Sequence, residues 1–98
     1  MGGYVYILAN RRHGAIYIGV TNDLIRRIYE HRTKAARGHT ESYNIVRLVF
    51  YEAHATMPLA IQREKNLKHW TRAWKVALIE NVNPRWDDLW DEIVQSPF

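Results

Sequence analysis

The stretch "YVYILANRRHGAIYIGV", Tyr4–Val20, decides the fold. Tyr4–Ala9 and Ala15–Val20 are rich in β-branched and aromatic residues, which suit a pleated, half-buried surface. Between them "NRRHG" is short, polar and contains glycine, as a hairpin connection requires. Each strand carries a tyrosine, Tyr6 and Tyr17, where an aliphatic residue would pack as well. Side chains alternate across a strand, so the register decides whether the two hydroxyls share a face. They share it when paired positions sum to an odd number. Ala9 opposite Gly14 with "NRRH" as the turn satisfies this, and so does a bulge that supplies the offset. A regular hairpin with Ala9 opposite Ala15 would separate them.

Downstream, "VTNDLIRRIYEHRTKAARG" reads as a helix. Thr21 or Asn22 can cap it, Asp23 suits the positive end of its dipole, and Gly38 suits its end. Leu24, Ile25, Ile28 and Tyr29 form an apolar stripe at helical spacing. After the polar "GHTESY", "NIVRLVFYEA" is a long apolar run, which predicts a strand buried on both faces at the centre of the sheet. Thr56 and Pro58 open a second helix through about Lys68. "WTRAWKVALIEN" gives a third, with Thr71 able to cap it and "NPRW" ending it, and Trp86–Ile93 suits a short final helix. The order β-β-α-β-α-α predicts an α+β fold: a small three-stranded antiparallel sheet flanked by helices.

Composition narrows the function classes. A chain of 98 residues suits one domain, taken here as 1–98, with one modest core. Its 47% hydrophobic and 24% charged residues exclude a disordered chain. Cysteine is absent, which excludes a disulfide framework and a cysteine-based zinc site. No apolar run reaches the roughly 20 residues that would span a bilayer, and "MGGYVYIL" lacks the features of a signal peptide. A cytoplasmic protein without membrane association is expected, and a monomer is assumed. The net charge of +4 suits a polyanionic partner without requiring one. Arg26, Arg27, Arg32, Lys34 and Arg37 cluster while Asp87–Glu92 is acidic, which predicts a basic surface at one place.

Some residues break the structural pattern. Arg27, His31 and Lys34 are spaced i, i+4, i+7 and share a helix face. They are either a solvated basic face, the simpler reading for Lys34, or a forked phosphate ligand with an imidazole one turn away. Glu64 falls within the inward stripe Met57, Ala60, Ile61, Leu67. An unpaired buried carboxylate costs several kcal/mol, so it needs a partner. Two partners are open: a buried arginine, or a divalent cation at the floor of a cleft. The pairs Trp70/Trp74 and Trp86/Trp90 are expected in helix packing. His13, His39, His54 and His69 have no metal-ligand spacing.

Taken together, these residues resemble the GIY-YIG nuclease domain. The first half-motif is "YVY" at Tyr4–Tyr6, with Tyr4 in place of the opening glycine, and the second is intact as "YIG" at Tyr17–Gly19. "TNDLIRRIYEH" is similar to the family's helix, with arginine at Arg27 and histidine at His31. "AIQREKNLKHWTRAWKVALIENVNPRWDDL" is similar to its small stand-alone bacterial branch and includes Glu64. The resemblance runs from roughly Tyr4 to Leu89 and implies metal-dependent hydrolysis of phosphodiester bonds in DNA, in a structure-specific or repair and recombination role. It implies Tyr6, Tyr17, Arg27 and His31 as catalytic residues and Glu64 as ligand of one Mg²⁺ or Mn²⁺. Gly19 and Asn83 would line the site, with Asn81 as the alternative to Asn83. Which tyrosine takes the proton from water is left open, with Tyr6 favoured. Arg26, Arg32 and Lys34 are expected to contact DNA phosphates, and a protein partner for targeting is left open. Two rival classes stand beside the nuclease. A non-catalytic nucleic-acid-binding module would share the fold and the basic face without needing Tyr6 and Glu64 together. A protein-interaction adaptor would use the tryptophans and the acidic tail.

Overall fold

The computed structural model describes residues 2–34 and 45–95, excepting the side chain of Lys34. Its elements are β1 (Gly3–Ala9), β2 (Ile16–Thr21), α1 (Leu24–Lys34), β3 (Arg47–His54), α2 (Met57–Lys68), α3 (Arg72–Val82) and α4 (Trp90–Val94). The strands form one antiparallel sheet in the order β2-β1-β3, so the fold is α+β as expected. Gly38, Arg37, His39 and the "GHTESY" loop lie outside the described residues.

The central strand is β1, not β3. Val5 through Ala9 are all buried, because β1 has a neighbour on each side and helices on both faces. One face packs Val5, Ile7 and Ala9 against Ala60 and Leu67 of α2 and Ile79 of α3. The other packs Tyr6 and Leu8 against Leu24 and Ile28 of α1 and Ile93 of α4. Strand β3 reads as a central strand for two reasons. A register shift between Ile7 and Leu8 puts Val49 and Phe50 in one core and Leu48 in the other, so its apolar residues do not alternate. Its outer edge is also covered: the Leu48 carbonyl accepts from the Leu89 amide at 2.7 Å, and the Leu48 amide donates to Asp88 Oδ1 at 3.3 Å.

The hairpin has the odd-sum register that places both tyrosines on one face. Tyr6 opposes Gly19, Leu8 opposes Tyr17 and Ala9 opposes Ile16. Ala9 lies opposite Ile16, two residues beyond the expected Gly14, which keeps the parity. The Asn10 amide still bonds the Ala15 carbonyl, so the turn proper is "RRHG" rather than "NRRH", with His13 at a left-handed φ of 59°.

Helix starts follow local chemistry. Asp23, rather than Thr21 or Asn22, caps α1, its Oδ1 accepting from the Arg26 amide at 3.2 Å. Thr56 and Thr71 cap α2 and α3 through the amides of Leu59 and Trp74. Two packing expectations are corrected. Ile61 lies on the exposed side of α2, because the buried contacts there are made by Ala60 and Leu67. Trp74 is 62% exposed. It meets Trp70 edge to face, at 5.7 Å between ring centroids. Trp70 is half-buried against the core, Trp86 is fully buried, and Trp90 lies half-buried beneath Arg32.

Candidate active site

The site is built on the hairpin. The Tyr6 ring lies across Gly19, where a Cβ would collide with the ring and its hydroxyl, so a residue without a side chain is required opposite it. Beyond that gap the Tyr6 hydroxyl reaches His31 on α1, 3.0 Å from Nε2. Tyr17, two positions from Gly19 on the same face, completes a group of three rings. Centroid separations are 6.4 Å for Tyr6–Tyr17, 5.7 Å for Tyr6–His31 and 5.5 Å for Tyr17–His31. Tyr6 is buried and Tyr17 is 39% exposed, so the group has an inner and an outer hydroxyl.

Charge surrounds the inner hydroxyl. Burial pushes the Tyr6 pKa up, and the Arg27 guanidinium beside it offsets part of that rise. Arg27 is itself held more firmly protonated by Tyr6 and Glu30, and its Nη1 donates to Glu30 Oε1 at 3.1 Å. Burial and the nearby Arg27 charge lower the pKa of His31. The shift favours the neutral imidazole, whose Nε2 can accept the Tyr6 proton with the ring proton on Nδ1. The Glu64 carboxylate acts on the Tyr6 hydroxyl from the α2 side and adds to its raised pKa.

Of the two partners left open for Glu64, the buried arginine is not the one the structure supplies; a lysine is. Glu64 is only 12% exposed, and its Oε2 lies 2.7 Å from Nζ of Lys68, which is 52% exposed. The stripe on α2 correctly turns Glu64 inward, but its counter-charge comes from one turn further along, at the rim. The "EKNLK" spacing of i, i+4 carried that signal. Glu30 was likewise legible from spacing: it sits three and four residues after Arg27 and Arg26, and bonds both.

Other expected site residues go elsewhere. Asn83 is buried as the C-cap of α3. Its Nδ2 donates to the carbonyls of Val49 at 3.0 Å and Asp87 at 2.9 Å, and its Oδ1 accepts from the Asp87 amide at 3.0 Å. Those bonds join β3 to the C-terminal segment, and none reaches the tyrosines. Asn81 is exposed on α3. Arg32 is spent on architecture: it donates to Asp88 Oδ2 at 2.8 Å and stacks over Trp90 at 5.1 Å. Arg26 is exposed beside Glu30, and the Lys34 side chain lies outside the described residues. An open groove of about 190 Å³ beside Arg27 is lined by Thr21, Asn22, Asp23, Arg26, Arg27 and Glu30. A larger concavity of about 600 Å³ lies away from the rings, around Tyr4, Tyr51 and Glu92. Among the described residues no three His, Asp or Glu side chains gather as a metal cluster, and no helix is long and apolar enough to cross a membrane.

Comparison with known proteins gives the family and the fold. A UPF0213 protein of Bacillus pumilus is 35% identical over 79 residues, covering 81% of this chain and 80% of that protein. A UPF0213 protein of Haloquadratum walsbyi is 35% identical over 77 residues, covering 79% and 85%. The solution NMR structure of a UPF0213 protein from Bacillus halodurans matches with a TM-score of 0.57 at 30% identity, covering 93% of this chain and 96% of that one. The model of the GIY-YIG catalytic domain matches residues 2–77, which include both tyrosines, Arg27, His31 and Glu64. With this match and these relatives, the chain belongs to the GIY-YIG family.

Proposed function

We propose that residues 1–98 form a single-domain endonuclease that hydrolyses phosphodiester bonds in DNA with one divalent cation, Mg²⁺ or Mn²⁺. The observation that carries the reading is the Tyr6 hydroxyl held 3.0 Å from His31 Nε2, beside Arg27 and within electrostatic reach of Glu64. A structural tyrosine needs a hydrogen bond, but it does not need a guanidinium and a carboxylate as well.

The residues suit a hard cation. Glu64 offers an oxygen ligand at the edge of solvent, and with no group of three such ligands among the described residues, most positions would fall to water and phosphate, which Mg²⁺ accepts. Bound there, the cation would polarise the scissile phosphate and steady the departing oxygen. Tyr6 passes its proton to His31 Nε2 as it takes one from the attacking water. The raised pKa of Tyr6 keeps it a phenol at rest, so it acts as a base only in step with that transfer. Arg27 faces the charge that builds on the non-bridging oxygens. Tyr17, at the outer position, orients water or phosphate. Arg26 and Arg27 give the neighbouring groove a basic wall for the DNA backbone.

The test is a panel of labelled duplex, nicked, flapped and single-stranded DNA, and RNA, with and without Mg²⁺ or Mn²⁺. Wild type should make cation-dependent cuts in at least one DNA, and Tyr6→Phe should lose about 10²-fold or more. A folded wild type that cuts nothing in the panel, or a Tyr6→Phe protein that cuts as fast, would overturn the reading.

A further inference from the structure

Lys68 stands on the one carboxylate proposed to hold the cation. Its Nζ is 2.7 Å from Glu64 Oε2, and it lies within electrostatic reach of Tyr17 as well. An ammonium at that distance and a divalent cation on the same carboxylate would repel each other strongly. The two ends of the pair differ in mobility. Glu64 is 12% exposed, while Lys68 is 52% exposed on a long stem at the last turn of α2. The lysine is the partner that can leave, since its charge is solvated as soon as it swings out. It would then leave a free ammonium at the rim of the site, within electrostatic reach of Tyr17, where a phosphate could meet it.

We infer that Lys68 is a displaceable counter-cation: it holds Glu64 in the metal-free protein, yields it to the divalent cation, and then contacts a phosphate of the bound DNA. The inference rests on the assignment of Glu64 to the cation in the proposed nuclease. It has two consequences that a plain i, i+4 helix pair would not have. Removing Lys68 strengthens cation binding in the absence of DNA. Lys68 also contributes to DNA binding only when the cation is present, because without it Glu64 neutralises the ammonium.

The first measurement is Mn²⁺ binding to DNA-free wild type, Lys68→Gln and Glu64→Gln, read from the electron paramagnetic resonance signal of free Mn²⁺. Lys68→Gln should bind about three- to fivefold more tightly than wild type, the upper range of what an exposed ion pair supplies, and Glu64→Gln more weakly. The second is the salt dependence of DNA binding in a Tyr6→Phe background, with and without Mn²⁺. Adding Lys68→Gln should leave the log–log slope unchanged without Mn²⁺ and make it shallower by about 1 with Mn²⁺. Equal Mn²⁺ affinity for wild type and Lys68→Gln, with Glu64→Gln weaker, would overturn the exchange while keeping the cation site. A slope reduced equally in both conditions would overturn it too and make Lys68 a standing phosphate contact. Mn²⁺ affinity unaffected by Glu64→Gln would overturn the cation assignment itself, and this inference with it.

Discussion

Glu64→Gln separates structure from chemistry most cleanly. Removing one member of a buried ion pair costs about 3–5 kcal/mol, because the remaining charge is stranded away from water. That does not apply here, since Lys68 is 52% exposed and its ammonium returns to solvent when the carboxylate is lost. The pair belongs with exposed pairs worth about 0–1 kcal/mol, and glutamine keeps the size of the side chain and one acceptor oxygen. At about 4–8 °C per kcal/mol for a domain of this length, the Tm should move by less than about 8 °C. Cleavage should vanish across the whole Mg²⁺ range, since a neutral amide is a poor ligand for a hard cation. Calorimetric melting without metal and nicking of supercoiled plasmid give the two readouts. A Tm drop of more than about 15 °C would mean that Glu64 holds the fold together, refuting the ion-pair reasoning. A folded variant that nicks at the wild-type rate would end the nuclease assignment.

Gly19→Ala should drive the Tyr6 ring off its seat, costing about 1–3 kcal/mol by overpacking and abolishing cleavage; a stable, active variant in melting and nicking assays would contradict the seat. Arg27→Lys should leave DNA affinity within about twofold and lower the cleavage rate by about tenfold or more, because the charge survives and the fork does not; equal rates would remove Arg27 from the reaction. His31 has a lowered pKa, so below about 6.5 the unfolded chain takes up a proton that the folded chain resists, and stability is lost as pH falls through that window. Urea midpoints from pH 7 to pH 5 should therefore fall more for wild type than for His31→Gln, and parallel curves would count against it. Asn83→Ala should cost about 2–3 kcal/mol by stranding its backbone partners, yet leave cleavage intact at a temperature where it is folded; lost cleavage with unchanged melting would return Asn83 to the site.

How far the sequence spoke depended on whether the signal was local. Caps at Thr56 and Thr71, the helix of Arg27 and His31, and the parity of Tyr6 and Tyr17 rest on spacing within a few residues, and the structure agrees on each. What spacing could not reach is who meets whom across the fold. The apolar run of β3 looks central because residues some 40 positions later cover its edge. Arg32 looks like part of the basic face until Asp88 and Trp90 arrive from the C-terminal segment to occupy it. Trp74 has the spacing of a packing residue, but α3 turns it outward, and nothing in its own neighbourhood of the sequence says so. Glu64 was legible as an anomaly, and its partner was legible only as a spacing among several.

The position of β2 explains how the site draws on both layers of the fold. Helix α1 packs on the Tyr6 face of the sheet and α2 on the opposite face, so His31 and Glu64 start on different sides. In the interior of a wider sheet, a neighbouring strand would stand between them. Here β2 is the edge strand, and the position opposite Tyr6 is Gly19. The Tyr6 ring therefore crosses toward the open edge, where its hydroxyl meets His31 from one face and feels Glu64 from the other. Among the described residues that edge is unpaired, and it is where an imidazole and a carboxylate from opposite faces can act on one hydroxyl. Pairing another strand onto β2 would lengthen the sheet and close that approach, so in this arrangement the exposed edge and the site are one requirement.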